Sequence, residues 1–429
     1  MGEKLSEGFV VEKEVFEKVM DKFKKNNKRS YDFLVKASVE YQDAFYELCK
    51  RIIEDETVPD NFRETTLHQI WKKKPGTRKE DLDANRYIHC KHYLPRAVEA
   101  IVIAQMESRI AAATSKFQIG GVAGHRPQEH LFCVKSLQAR YEKLKKLLIV
   151  YTNDASKFFD KEVLVDCMGE LYQAGIDPRA YRMFFRLNEK TKIRVRTGCG
   201  FSPWEEAGDL LGQGSGGAAK VSALNLDRKL DRMFGDSKEM LKYGSVKQRP
   251  YAFQDDALVL VDDIQHLRLT VAKMEIVMKS MQVESNKTKC GYILMGPQHL
   301  VQEARQTLKI HPVTVGDWTV QEMKEEKWLG DQLCSGLSRA VMATIQARAG
   351  KLRRASYEIV NIVKDYRAQR VGGFTTALLL WESCAIPSLL YNCSTWVGMG
   401  RKEEEALGEI QEFYMRLALG TGPGAPKLS

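Results

Sequence analysis

Two apolar segments that end in acidic residues constrain this chain more than any other feature. The first is Leu-Leu-Ile-Val-Tyr at 147–151, which is followed by Asp154. The second is a pair of short runs, Tyr-Ala-Phe at 251–253 and Ala-Leu-Val-Leu-Val at 257–261, separated by Gln-Asp-Asp. Short continuous apolar runs are typical of buried strands, and two runs so closely spaced predict a hairpin. The pattern predicts a buried sheet with carboxylates at one end.

The acidic residues at these strand ends indicate a metal site. If the strands are neighbours in one sheet, the carboxylates of Asp154, Asp255 and Asp256 converge. Such a cluster repels itself unless it binds divalent cations, and oxygen ligands suit Mg²⁺. We therefore predict that these three residues are catalytic and bind two Mg²⁺ ions for phosphoryl transfer. The alternative is that Asp255 and Asp256 are present only because Asp is favoured in turns. In the same way, Asp262 and Asp263 are expected only to cap the next helix.

The rest of the sequence predicts a soluble protein of mixed structure with an anionic partner. The first 55 residues predict helices, a helix is expected to begin near Lys161, and strand patterns stop after about residue 335. The net charge is +10, which favours an anionic partner. No apolar run approaches the roughly 18 residues of a membrane helix, so we expect no membrane partner. The nine cysteines form no C-x-x-C pair, so we expect no zinc and an intracellular compartment.

Two basic segments are candidates for phosphate contacts. Lys72, Lys73 and Lys74, together with Arg86, could bind a triphosphate, or they form a solvated basic loop. Residues 339–370 contain eight basic and two acidic residues. That segment either contacts nucleic-acid phosphates or is a solvated helix face.

A glycine-rich turn at 212–217, Gly-Gln-Gly-Ser-Gly-Gly, resembles two phosphate-binding motifs and fits neither. The segment before it is too polar for the first strand of a dinucleotide fold, and alanines replace the Lys and Ser/Thr of a P-loop. What remains is a backbone that can closely approach a base or sugar. The amide of Gln213 is expected to be exposed there.

The order of these segments resembles the reverse transcriptase of non-LTR retrotransposons, from about Val58 to about Val397. The similar stretches are VPDNFRETTLHQIWKKKPG and ANRYI (fingers), FQIGGVAGHRPQEHLF (Gly-Phe-Arg-Pro stretch), DASKFFD (first palm motif), GQGSGG (Gln-Gly motif), FQDD (F/Y-x-D-D box), NKTKCGYILMG (the motif after it), KWLGDQL (primer grip) and AIPSLLYNCSTWV (thumb). The sequence departs from the family pattern at His125, Gln254 and Trp328.

The resemblance implies an α+β right-hand polymerase fold with fingers, a palm containing an antiparallel sheet, and a helical thumb. The expected division is 1–55 for a helical N-terminal extension, 56–146 for the fingers, 147–334 for the palm with fingers elements near 165–205, and 335–429 for a basic helical thumb. The resemblance also implies that the protein is an RNA-directed DNA polymerase of a mobile element and acts in the nucleus. Its expected partners are an RNA template, a DNA primer and dNTPs. The oligomeric state is open. The chain is too short for the endonucleases of such elements, so we expect a partial element.

The resemblance also implies roles for individual residues. The expected nucleotide-binding residues are Lys72, Lys73, Lys74, Arg86, Phe159, Gln213, Gly214 and Lys287. The expected primer grip is Trp328, Leu329 and Gly330, and the expected contacts to the nucleic-acid backbone are Arg348, Lys351, Arg353 and Arg354. Phe159 lies five residues after Asp154, where an aromatic ring would exclude a ribose 2′-hydroxyl and so disfavour an RNA-dependent RNA polymerase. A catalytically silent nucleic-acid-binding scaffold with the same fold is the other alternative.

Overall fold

A computed structural model of the chain describes residues 11–25, 36–73, 76–78, 80–209, 211–238, 240–243, 246–368, 373–419 and 421. None of the helices it describes there is long and apolar enough to cross a membrane. The elements up to residue 143 are α1 (Lys13–Lys25), α2 (Val39–Glu54), β1 (Glu64–Trp71), β2 (Asn85–Lys91), α3 (Tyr93–Ala113) and α4 (Pro127–Lys143).

The elements from residue 148 to residue 247 follow in the same way. They are β3 (Leu148–Asn153), β4 (Ala155–Ser156), α5 (Phe158–Lys161), α6 (Leu164–Gln173), α7 (Pro178–Asn188), β5 (Thr191–Thr197), β6 (Gly200–Phe201), β7 (Glu205–Gly208), α8 (Ala218–Phe234), β8 (Lys242–Tyr243) and β9 (Val246–Lys247). The helix expected near Lys161 is two helices, because the chain is extended at Glu162 and Val163 between α5 and α6.

The remaining elements form the second half of the chain. They are β10 (Tyr251–Phe253), β11 (Asp256–Val261), α9 (Ile264–Ser280), β12 (Glu284–Ser285), β13 (Gly291–Met295), α10 (Gln298–Ile310), β14 (Thr314–Val315), β15 (Trp318–Thr319), β16 (Gln321–Glu322), β17 (Glu325–Trp328), β18 (Asp331–Cys334), α11 (Leu337–Ala368), α12 (Gly373–Leu380), α13 (Ile386–Leu389) and α14 (Arg401–Leu419).

The central sheet has the strand order β10-β11-β3-β13-β16. Its first four strands are antiparallel, and β16 adds a short parallel pairing with β13. Both faces are covered: Ile149 and Tyr151 pack with α8 and α9, whereas Leu148 and Val150 pack with α4 and the β17–β18 hairpin. Burial on both faces explains why these strands have continuous apolar sequences rather than alternating ones.

The chain forms two further units besides the central sheet, and the first of them includes β5 to β7, which lie between β3 and β10 in the sequence. The N-terminal sheet has the order β2-β1-β5-β6, with β7 also paired to β5. Its helices α3, α6 and α7 share a core with α1 and α2. The C-terminal unit consists of α11 to α14 around its own core, in which Trp381 stacks on Tyr414 with ring centroids 4.5 Å apart. The predicted α+β class is confirmed, and the division into fingers, palm and thumb stays a prediction.

Candidate metal and nucleotide site

The three predicted carboxylates converge at one end of the central sheet. β11 pairs with β3 so that Ala257 faces Asn153, and one further step of this register places Asp256 opposite Asp154. Asp255 lies in the two-residue turn between β10 and β11. Carboxylate oxygens of the three residues lie within 4.8 Å of one another, and each residue is half-buried. This spacing lets several oxygens contact one hard cation, so the residues fit a divalent metal site.

Burial and the neighbouring carboxylates make Asp255 and Asp256 harder to ionise than isolated carboxyl groups. Burial, together with the charges of Asp255 and Asp154, raises the pKa of Asp256 to about 7. Burial and the charge of Asp154 also raise the pKa of Asp255. The Lys289 ammonium lies 2.8 Å from Asp154 Oδ2, and the Asn286 side-chain amide donates to the same oxygen at 3.0 Å. A divalent cation would offset the cost of ionising Asp255 and Asp256.

A cavity of about 1420 Å³ opens above the carboxylates and brings distant segments of the chain together. Of the expected site residues, Lys72, Arg86, Phe159 and Gln213 line it together with Asp154 and Asp255. The sequence reasoning missed several charged residues of its wall: Glu80, Lys157, Lys161, Glu284 and Lys289. Odd-numbered residues of β1 and β5, such as Leu67 and Val195, face the cavity, because strand side chains alternate between faces.

Other expected nucleotide-binding residues lie outside the cavity wall. Lys73 is exposed, and Lys74 falls outside the described residues. Lys287 is exposed and does not line the cavity, whereas Lys289, two residues later, does. Gly214, with φ 109°, packs against β2 instead, where an added Cβ would lie 2.9 Å from the His89 carbonyl oxygen.

The glycine-rich loop is anchored to the N-terminal sheet through His89. The backbone N–H of His89 donates to the carbonyl of Gln213 at 2.7 Å. A Cβ at Gly212 would lie 2.2 Å from the His89 ring, so only glycine fits there. Burial, and then the charge of Lys91, lowers the pKa of His89 to about 4. A neutral, half-buried histidine therefore fixes the loop that carries Gln213 into the cavity.

Phe159 packs against the hydrophobic core and also lines the 1420 Å³ cavity. Its ring packs against the cores of the N-terminal unit and of the central sheet. It also contacts the ring of Phe158 edge-on, with centroids 5.4 Å apart, and lines the cavity beside Asp154. The position allows the expected contact with a bound sugar, and it also predicts a stability cost when the ring is removed.

The expected primer-grip residues form the turn between β17 and β18. Leu329 and Gly330 both have positive φ, at 48° and 95°. A Cβ at Gly330 would lie 2.8 Å from the ring of Tyr391, so this position requires glycine. Trp328 is only 3% exposed, and its ring stacks parallel to that of His130. Trp328 is thus a core residue that fixes the turn, while Gly330 and Lys327 line a groove of about 850 Å³ next to α11.

The structure corrects the prediction that Arg348 contacts nucleic acid. Its guanidinium donates to the Gly330 carbonyl at 2.9 Å and to Asp331 Oδ1 at 2.7 Å. It also donates to the carbonyls of Leu389 and Tyr391. These contacts use the guanidinium to join the primer-grip turn to the C-terminal helices, so it is not available to a phosphate.

The other three residues of α11 that were expected to contact the nucleic-acid backbone point outward. Lys351, Arg353 and Arg354 are exposed, and Lys351 lines the 850 Å³ groove. Arg353 lies over the ring of Phe413 at 5.7 Å, and the Arg354 Nε donates to the carbonyl of Gly350 at 3.3 Å. Neither contact removes these cations from solvent, so phosphate binding by the three residues stays a prediction.

A second charged cluster, which we call the buried ion cluster, consists of Lys135, Asp331 and Arg348. Asp331 is fully buried, and its carboxylate contacts both the Lys135 ammonium and the Arg348 guanidinium. Thr395 donates to the same carboxylate, and Asn392 donates to it and to the carbonyl of Leu329. Its three members come from α4, β18 and α11, and the two hydrogen-bond donors come from the segment after α13. Because these segments are far apart in the sequence, local sequence patterns gave no signal for the cluster.

Comparison with known proteins gives only distant structural likeness. No protein-family model matches the chain, and no curated protein matches it. Apo telomerase from Candida tropicalis is similar with a TM-score of 0.45 and 9% identity over 89% of this chain. Telomerase from Candida albicans, in complex with a fragment of telomeric RNA, gives 0.44 and 10% over 88%. A C-terminally truncated apo telomerase from Candida tropicalis gives 0.42 and 9% over 69%.

The likeness is partial in both directions. This chain covers 68% of the first of those telomerase chains, 63% of the second and 59% of the third. At this degree of similarity, the comparison carries no conclusion about activity. The functional argument therefore depends on the carboxylates, the cavity and the sequence motifs.

Proposed function

We propose that this chain is an RNA-directed DNA polymerase, of the kind found in non-LTR retrotransposons. The observation that supports it most is the convergence of Asp154, Asp255 and Asp256 beneath a cavity lined by cations from four separate segments. The order of sequence motifs adds the resemblance to that family, and the nuclear location expected from it belongs to the same proposal. In these terms the N-terminal sheet, the central sheet and the C-terminal unit serve as fingers, palm and thumb.

The carboxylates would hold two Mg²⁺ ions, with Asp154 and Asp255 as main ligands and Asp256 in support. When bound, the ions would activate a primer 3′-hydroxyl and offset the charge of the triphosphate. Lys289 would then give up its hydrogen bond to Asp154 Oδ2 and donate instead to solvent or to a phosphate oxygen. Lys72, directly after β1, and Arg86, in β2, line the same cavity, where they would bind the triphosphate.

The choice of nucleotide and template follows from the cavity and the groove. Phe159 lines the cavity beside Asp154, where its ring would exclude a ribose 2′-hydroxyl and favour deoxynucleotides. The 850 Å³ groove between the primer-grip turn and α11 carries Lys327 and Lys351, which would contact the primer–template backbone. RNA as the template is proposed on the family resemblance.

Primer extension with the purified chain tests the proposal. A DNA primer on an RNA template, with Mg²⁺, should be extended with dNTPs and poorly with rNTPs. Asp255→Asn should lower incorporation by at least about a thousandfold, because a metal-binding carboxylate becomes neutral. Binding of primer–template should survive, since the change removes a negative charge that would repel phosphates.

Asp263→Asn is the matched control for that variant. Asp263 caps α9 by accepting from the backbone N–H groups of Gln265 and His266, and asparagine caps helices equally well. The control should keep wild-type incorporation. An Asp255→Asn protein with more than about a tenth of wild-type incorporation contradicts the assignment. Wild-type protein that binds primer–template but extends nothing would instead support the catalytically silent scaffold.

A further inference from the structure

The carboxylate turn has a partner that sequence motifs do not assign, the side chain of Gln118. This residue lies in the loop before α4 and is only 1% exposed. Its Oε1 accepts from the backbone N–H of Gln254 at 3.0 Å, and its Nε2 donates to the carbonyl of Gln254 at 3.1 Å. One side-chain amide therefore satisfies both backbone groups of the residue that precedes Asp255.

The turn needs such a partner because Gln254 has an unfavourable backbone conformation. Its φ is 58°, in the left-handed region where side chains other than Gly, Asn and Asp are uncommon. A conformation of that kind is energetically costly and persists only where the surroundings enforce it. The paired hydrogen bonds of Gln118 supply that enforcement, one residue away from a metal ligand.

The backbone around Gln118 is hydrogen-bonded to β10, and this places the Gln118 side chain beside the turn. The chain at 117–119 adds to the free edge of the central sheet: the Ala252 N–H donates to the Phe117 carbonyl at 2.7 Å, and the Ile119 N–H donates to the Ala252 carbonyl at 3.1 Å. The Gly120 N–H donates to Gln118 Oε1 at 2.9 Å, which orients the amide. The approach at Gly120 is so close that an added Cβ would lie 2.2 Å from the Gln254 nitrogen.

We infer that Gln118 is a positioning residue for the metal site, which clamps the Gln254 turn so that Asp255 and Asp256 keep their places beside Asp154. This inference rests on the proposed function for its consequences in catalysis. In this role the Gln118 side chain itself contacts neither substrate nor metal. Displacing a metal ligand by about 1 Å can cost a hundredfold in rate.

Gln118→Leu tests the inference, with Gln138→Leu as its matched control. Gln138 is also 1% exposed, and its amide donates to a backbone carbonyl, that of Cys334, at 3.1 Å. Both variants make the same replacement, of similar volume, at a buried position and lose buried hydrogen bonds. Both should therefore lose stability, and they are compared below their unfolding temperatures. Gln118→Glu, which keeps both acceptor contacts but not the donor contact, should recover part of any loss.

The first readout is the Mg²⁺ dependence of single-nucleotide incorporation. Gln118→Leu should need at least fivefold more Mg²⁺ for half-maximal rate and should lower the maximal rate at least tenfold, with primer–template affinity unchanged. Gln138→Leu should match the wild type in all three values. Equal Mg²⁺ dependence and rate in the two leucine variants would overturn the inference.

The second readout does not require polymerase activity. Amide hydrogen exchange of a peptide covering 251–258 should be at least tenfold faster at Gln254 in Gln118→Leu than in Gln138→Leu. Equal exchange would mean that the amide does not hold the turn, and the clamp would be rejected. If the wild type incorporates no nucleotide while exchange responds as expected, the proposed function fails and the clamp on the turn stands.

Discussion

Two charged clusters border the central sheet, and they are balanced in opposite ways. The cavity cluster has three carboxylates, each half-buried, with Lys289 in contact with Asp154. The buried ion cluster has one carboxylate, Asp331, between two cations, Lys135 and Arg348, with two further hydrogen-bond donors. Its carboxylate is fully paired with cations within the protein, whereas the cavity cluster has more carboxylates than contacting cations and faces an open space. The difference separates a cluster whose carboxylate is held by the protein's own cations from one whose carboxylates fit the proposed metal site.

The buried ion cluster should show the largest effect on stability. Asp331→Asn leaves the cations of Lys135 and Arg348 buried without their counter-ion, and breaking such a cluster costs about 3–5 kcal/mol. Urea denaturation should show this loss in the free energy of unfolding. Asp317→Asn, at an exposed position, should change it by less than about 0.5 kcal/mol. Equal unfolding midpoints for the two variants would remove the structural role of the cluster.

A change at Phe159 should alter selectivity as well as stability, because the ring borders the cavity. Phe159→Val should lower the discrimination between dNTP and rNTP, as the ratio of kcat/KM values, by at least tenfold, or about 1.4 kcal/mol. Phe184→Val is the control, since Phe184 is fully buried in the same N-terminal core and does not line the cavity. If the ratio moves equally in both variants, Phe159 is a core residue only.

Replacing Asp256 by Asn should stabilise the protein at pH 8 without Mg²⁺, whereas replacing Asp331 by Asn should destabilise it. Its pKa of about 7 lies above the unfolded value of about 4, so folding favours the protonated acid. The stabilising contribution of that proton is complete below pH 4 and is lost as the pH rises through 7. Asp256→Asn should therefore be more stable than the wild type at pH 8 without Mg²⁺, by roughly 1–2 kcal/mol after solvent screening.

The pH dependence of that difference is the decisive part of the measurement. The advantage of Asp256→Asn should shrink as the pH falls from 8 to 5, because the wild-type acid then carries its proton in the folded state. Thermal unfolding of both proteins across this range measures it. A wild type that is more stable than the variant at pH 8 in the absence of divalent cations would contradict the electrostatic account of the cavity cluster.

The exposed cations of α11 should give the smallest effect, and only in the presence of nucleic acid. Replacing Lys351 and Arg354 by Ala should leave folding intact and should lower the slope of log affinity against log salt by about 0.9 for each lost phosphate contact on a duplex. Lys279→Ala, on the exposed surface of α9, should not change the slope. An unchanged slope in the double variant would assign the basic face of α11 to solvent.

The sequence predicted the parts of the molecule that depend on local patterns. β3 and β11 were visible because strands buried on both faces have continuous apolar sequences, and their ends located the three carboxylates. The basic residues of α11 were visible as a charge imbalance. However, a local pattern does not distinguish Arg348, which is bonded inside the protein, from Lys351 three residues later, which is exposed.

The parts that were missed depend on contacts between distant residues. Gln118 and Gln254 are 136 positions apart, and Lys135 and Asp331 are 196 apart. Lys289 contacts Asp154 across 135 positions, while the sequence motif favoured Lys287. Each of these pairings depends on how the sheet edge, α4 and the C-terminal unit pack in three dimensions, so a pattern read along the chain gave no signal for them.

Direct binding of divalent cations tests the central claim, that the cavity cluster keeps its negative charge for metal ions. Mn²⁺, titrated at pH 8 and followed by electron paramagnetic resonance, should bind the wild type saturably. Asp154→Asn should lower the affinity at least tenfold, whereas Asp263→Asn should bind as the wild type does. Equal Mn²⁺ binding by the wild type and Asp154→Asn would contradict the account, because the three carboxylates would then not form the metal site.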